Sequence, residues 1–289
     1  MSSRFNLRFD LYVVDVFAER PLVGNPLAVV VAERLPDADV RQAIARETNL
    51  SETTFLGPCA DPDGAWSVRI HTPSEELPFA GHPVLGTAWV IRERLCDEPP
   101  WEMLLRTERG LIPVTFTGHG RDAMVWLDAP EARLEALDFQ ALRGLVAEPF
   151  RSGPLPPALG SNGPVMMLVS AEDPAALARP VTDAGGLAAM LARSGRTGVL
   201  LAAPAANGDD AGWQVRVFFL AGSLREDPAT GSAAALFGET LRQAGQHGAF
   251  TLEQGVAMQR PSELHLCVPL RGPIQVGGRV QPVWSGSSD

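Results

Sequence analysis

Residues 78–86 read Pro-Phe-Ala-Gly-His-Pro-Val-Leu-Gly, and residues 227–236 read Asp-Pro-Ala-Thr-Gly-Ser-Ala-Ala-Ala-Leu. In each, a proline-containing turn delivers a glycine and one polar residue to the start of an apolar run. Pro83 suits the first turn of a helix, where its missing N–H costs nothing. Val84, Leu85, Ala88, Trp89, Ile91 and Leu95 cover most of the first helical wheel, as Ala233–Phe237 and Leu241 do the second. A helix apolar all round is a buried one. The two stretches also follow alike strands. Gly81 comes twelve residues after Arg69 in Arg-Ile-His-Thr-Pro, and Gly231 fifteen after Arg216 in Arg-Val-Phe-Phe-Leu. Aligned, Gly81-His82 meets Gly231-Ser232, and Pro78 meets Pro228. The pattern predicts two pseudo-symmetric α/β lobes with a cleft between them.

Reading outward, the first half carries strand patterns at Phe9–Phe17, Leu27–Val31, Glu52–Leu56, Trp66–Ile70, Trp101–Arg106, Leu111–Thr117 and Met124–Leu127. Asp37 caps a helix to about Glu47, with Val40 and Ile44 on its apolar face, and the Pro83 helix runs to about Leu95. The second half repeats the plan. Strands fall at Val165–Ser170, Gly198–Leu201, Trp213–Leu220, Glu263–Val268 and Ile274–Trp284. Helical stretches fall at Asp173–Ala178, Ala184–Arg193 and Ser232–Gly245. The runs Asp128–Leu137 and Gly153–Pro164 read as connections. The expected domains are residues 1–128 and 129–289, with a strand near 274–284 able to pack back on the first. The terminal Ser-Gly-Ser-Ser-Asp reads as a frayed tail.

Composition narrows the chemistry. The 289 residues, 45% hydrophobic, suffice for two domains with cores of their own. A net charge of −10 disfavours nucleic acid and anionic membranes, which need a basic face. No 18-residue apolar run exists, and Met1–Asp10 has no apolar segment of signal-peptide type. Three scattered cysteines (Cys59, Cys96 and Cys267) suit a reduced, cytoplasmic protein. The chain has no lysine, which excludes Schiff-base and P-loop lysines. Neither G-x-S-x-G nor G-x-G-x-x-G occurs, against a nucleophile elbow or a dinucleotide fold.

Two buried helices pointing their N-termini into one cleft would favour an anion there, such as a substrate carboxylate. Gly81 and Gly231 would let backbone approach the ligand, and His82 and Ser232 would add polar groups. His82 could equally be only a cap. Glu52, in Asn49-Leu-Ser-Glu-Thr-Thr-Phe55, leads into an apolar strand; partial burial would suit it to proton transfer. An exposed strand-end acid is the alternative. Asp227 could be a second cleft group or a turn residue. His71 and His82 lack a third ligand at metal-site spacing, so no metal is expected.

Together, "GNPLAVV", "NLSETTFL", "ELPFAGHPVLGTA", "EDPATGSA" and "EQGVAMQRPSEL" resemble the phenazine-biosynthesis PhzF-like family over nearly the whole chain. The resemblance implies a diaminopimelate-epimerase-like fold: two α+β domains, each a curved, mostly antiparallel sheet around a central helix. It implies a homodimer without metal or organic cofactor, acting on a small carboxylate-bearing molecule like trans-2,3-dihydro-3-hydroxyanthranilate. Glu52 would take and return the proton. His82 and Gly81 would orient the substrate, and Asp227, Thr230, Gly231 and Ser232 would complete the site. Racemases of this fold use two cysteines, whose positions fall here at Ala80 and Thr230, so two-thiol chemistry is not expected. His71 stands where the family often has an aromatic residue, and Arg260 is expected to brace the lobes. A non-catalytic binding protein, or a lyase or dehydratase using the same base, stays open as an alternative.

Overall fold

The computed structural model describes residues 8–57, 64–205 and 211–288. Contacts divide the chain into two units: Met1–Leu127 with Gly277–Asp289, and Asp128–Val276. The first contains β1 (Phe9–Val16), β2 (Asn25–Ala32), α1 (Ala38–Thr48), β3 (Glu52–Leu56), β4 (Trp66–His71), β5 (Glu76–Leu77), α2 (Gly81–Val90), β6 (Glu102–Thr107), β7 (Gly110–Thr117) and β8 (Met124–Asp128). The second contains β9 (Arg133–Ala136), β10 (Ala158–Ser161), β11 (Val165–Ser170), α3 (Ala184–Ser194), β12 (Gly198–Pro204), β13 (Gly212–Ala221), β14 (Ser223–Asp227), α4 (Gly231–Gln243), β15 (Gly248–Gln254) and β16 (Ser262–Val268). The last strand, β17 (Gln275–Ser287), returns to pair with β1 in the first unit.

The two units share one pairing scheme. In the first, β1–β2 is antiparallel, β2–β3 parallel across α1, β3–β4 and β4–β5 antiparallel, β4–β6 parallel across α2, and β6–β7 antiparallel. In the second the same sequence runs β10–β11, β11–β12 across α3, β12–β13, β13–β14, β13–β15 across α4, and β15–β16. Each unit is a mixed, mostly antiparallel sheet around one central helix, the diaminopimelate-epimerase-like arrangement. The central helices are α2, buried from His82 to Val90, and α4, buried from Ala233 to Leu241.

Side-chain alternation assigns the sheet faces. Met167, Val169, Val199 and Leu201 pack with Leu187 and Leu191 of α3. The residues between them, such as Leu168 and Leu200, are buried on the opposite face. Strands covered on both sides read as continuous apolar runs. In the first unit, Thr53 Oγ1 is 2.7 Å from Thr48 Oγ1 of α1, whereas Thr54 Oγ1 is 2.8 Å from Thr87 Oγ1 of α2. A period of two therefore puts Glu52 on the α2 face with Thr54.

Several expectations are corrected. The tail is not frayed through Ser287: Ser285, Gly286 and Ser287 pair with Tyr12, Leu11 and Asp10. The second unit ends at Val276 and not at Asp289, because 277–289 belong with the first, the placement left open for the strand near 274–284. The two expected connections contain β9 and β10. Strand β15 escaped the reading because its inward positions are Phe250, Leu252 and the polar Gln254. On α1 the buried residues are Arg41 and Ala45, while Val40 and Ile44 are half-buried. Arg41 can be buried because Pro36 O, His71 and Glu76 accept its hydrogens. The Pro83 helix ends as a π-helical turn over Ile91–Leu95.

Candidate active site

In the first unit, β3 places Glu52 at its first residue, on the α2 face, and α2 places His82 at its second. Glu52 Oε2 lies 3.3 Å from His82 Nε2, with side-chain exposures of 17% and 8%. The other ring nitrogen, Nδ1, is 3.5 Å from Asn25 Nδ2, at the start of β2. Assigned that way, Asn25 donates to Nδ1 and the imidazole proton sits on Nε2, close to the Glu52 carboxylate but outside hydrogen-bond geometry with it. Burial pushes the His82 pKa down to about 3, so the ring is neutral at neutral pH.

Gly81 opens α2 after Ala80, whose side chain makes no cap, and the first helical bond runs from Val84 N–H to Ala80 O. Pro83 has no N–H. The first turn thus points the Gly81 and His82 amides outward at the end where the helix dipole is positive.

The second unit has the matching corner. Thr230 is the N-cap of α4, without a side-chain cap, and Gly231 and Ser232 are its first two residues, both half-buried. Asp227 ends β14. Its Oδ2 accepts the Thr230 hydroxyl hydrogen at 2.5 Å. Asn162, between β10 and β11, donates from Nδ2 to Ser232 O at 2.9 Å. Asn25 and Asn162 thus each touch the second residue of a central helix. Sequence reasoning passed over both, although each lies in a Gly/Pro turn, Gly24-Asn25-Pro26 and Asn162-Gly163-Pro164. It also missed Gln254, which bonds to Asp227 and Thr230.

His71 is placed elsewhere. It pairs in register with Thr53 and so lies on the α1 face, away from the face that carries Glu52. Its Nε2 accepts from Arg41 Nε at 3.0 Å, which leaves Nδ1–H to donate to Gln42 Oε1 at 3.1 Å. Burial lowers its pKa, outweighing Glu76. Both ring nitrogens are engaged in structural bonds. Ala80 and Thr230 fall at equivalent N-cap positions, and neither is a thiol. Cys96 and Cys267 are half-buried and in no disulfide, and Cys59 lies outside the described residues. No helix among the described residues is long and apolar enough to cross a membrane.

Comparison with known proteins matches the phenazine biosynthesis-like family, PhzC-PhzF, to residues 14–283. The trans-2,3-dihydro-3-hydroxyanthranilate isomerase of Pseudomonas aeruginosa is 33% identical over 265 residues, covering 88% of this chain and 88% of its own. The structure of a predicted epimerase from the same organism is similar at 32% identity and TM-score 0.78, over 96% of this chain and 98% of its own. A PhzF-family structure from Bacillus anthracis, 18% identical, shares the fold with TM-score 0.82 over 97% and 99%.

Proposed function

The chain belongs to the phenazine biosynthesis-like (PhzF-like) family, and on that premise we propose that it is an isomerase moving a proton along a small carboxylate-bearing substrate, with Glu52 as acid and base. The observation that carries this is the Glu52–His82 pair at the start of α2, 3.3 Å apart. A carboxylate there takes a proton from substrate carbon. The C–H electron pair becomes a new double bond to the neighbouring carbon, the pair of the existing double bond moves to its far carbon, and Glu52 returns the proton there. No atoms are gained or lost. His82, neutral, serves as a hydrogen-bonding partner and not as a charge. The amides of Gly81 and His82 offer hydrogens for a carboxylate, as helix N-termini do for anions. Asp227, Thr230, Gly231 and Ser232 supply the remaining polar contacts in this proposal. The resemblance also implies a homodimer, and the three scattered cysteines suit a reduced, cytoplasmic setting.

Trans-2,3-dihydro-3-hydroxyanthranilate, named in the P. aeruginosa relative, is the first substrate to try. It and a panel of small amino and hydroxy acids are incubated with the protein in deuterated water and followed by proton NMR. The expected result is deuterium at a substrate carbon. In Glu52→Gln, turnover should fall by about 10²–10⁴-fold, the usual worth of a positioned acid/base, with binding little changed. Full turnover in that variant removes Glu52 from the mechanism. A ligand held tightly without exchange would favour a binding protein.

A further inference from the structure

We infer that Gln254 is a positioning residue that fixes the direction of the hydrogen bonds at Asp227, so that this carboxylate selects ligand groups that donate a hydrogen. The inference rests on the reading that Asp227 meets the substrate.

Gln254 ends β15 and is 1% exposed. Two neighbours orient its amide independently. Thr230 N–H can only donate, and it bonds to Oε1 at 3.2 Å. Asp227 O can only accept, and it receives Nε2 at 2.7 Å. The amide therefore has one orientation. Its Nε2 also donates to Thr230 Oγ1 at 3.0 Å. That hydroxyl sends its own hydrogen to Asp227 Oδ2 at 2.5 Å. The chain runs Gln254 to Thr230 to Asp227 and ends on the carboxylate. Asp227 Oδ2 is thereby used as an acceptor, and a ligand group that donates a hydrogen continues the same direction. A substrate amine or hydroxyl is matched; a group bringing only lone pairs is not.

The seat is built for this contact. Gly255 has φ +76, and a Cβ there would come within 2.6 Å of Pro228 O and 2.4 Å of Arg260 O. Only glycine brings the turn after β15 so close to the Asp227–Pro228 corner.

The test uses two probes differing by one amine, 2-aminobenzoate and benzoate, with binding measured by calorimetry on the full chain. The wild type should prefer the amine-bearing probe by about tenfold or more, the range of one hydrogen bond to a charged group. Gln254→Met, which keeps the volume and removes the hydrogens, should bring that ratio close to one. Thr230→Val should do the same, and Thr230→Ser, which keeps the hydroxyl, should restore it. A purely structural Gln254 would lower the melting temperature and leave the ratio unchanged, which overturns the inference. Should Gln254→Met not fold, the Thr230 pair decides: equal ratios in Val and Ser sink the idea. If the wild type shows no preference, or binds neither probe, the reading of Asp227 itself fails.

Discussion

His82 shows how one residue's surroundings set its chemistry. Imidazole ordinarily titrates near pH 6.5, but burial takes this ring down to about 3. Below pH 6.5 the unfolded chain therefore binds a proton that the folded chain refuses. Stability is fully present above pH 6.5 and is lost as pH falls towards 3. At pH 5 the loss from His82 amounts to about 2 kcal/mol. His71, also lowered by burial, acts in the same direction. Melting temperature should thus fall between pH 7 and 5, and less steeply in His82→Gln. Parallel curves for the two proteins would contradict a neutral, buried ring. A histidine before a proline at a helix start was visible in the sequence as a site candidate. Its pKa was not, because that depends on what α2 is buried against.

Among elements, the central helices were the most legible and the contacts that seat them the least. Apolar residues on every side of the Gly81 and Gly231 helices announced burial, and both are buried. Strand β15 was lost because Gln254 breaks its inward apolar alternation, and that departure marks a residue bonded to the candidate site. Arg41 hid in the same way, as a charge on the buried face of α1. Close packing also leaves little sequence trace. A Cβ at Gly86 would lie 2.6 Å from Leu27 Cδ2 and 2.8 Å from Val16 Cγ2, so α2 rests on β1 and β2 through that glycine. Gly86→Ala would ordinarily help a helix by up to about 1 kcal/mol. Here overpacking should win, for a net destabilisation of about 1–3 kcal/mol in urea unfolding. A gain in stability would show that α2 has room to move outward.

For the whole molecule, the repeat was readable because both halves spell the same strand, turn and helix start, and six matching strand pairings bear it out in the fold. The route of the chain was only partly readable. The strand near 274–284 was readable as able to pack back on the first domain, but the pattern of a strand does not name β1 as its neighbour. β17 runs beside β1 from Asp10↔Ser287 to Val16↔Val280, covering the side of β1 not paired with β2. Without it, one whole edge of β1 loses its ladder bonds. The second unit holds both strands of each of its six shared pairings within residues 128–276. A fragment of residues 128–276 should therefore unfold cooperatively by itself, whereas residues 1–127 alone should not. Gly277 lies against the Trp126 ring, so a short glycine-serine linker can join residue 127 to 277. That joined chain should recover a cooperative transition by circular dichroism and dispersed amide signals by NMR. If residues 1–127 fold equally well without the last strand, β17 is an accessory to the first unit and not one of its structural members.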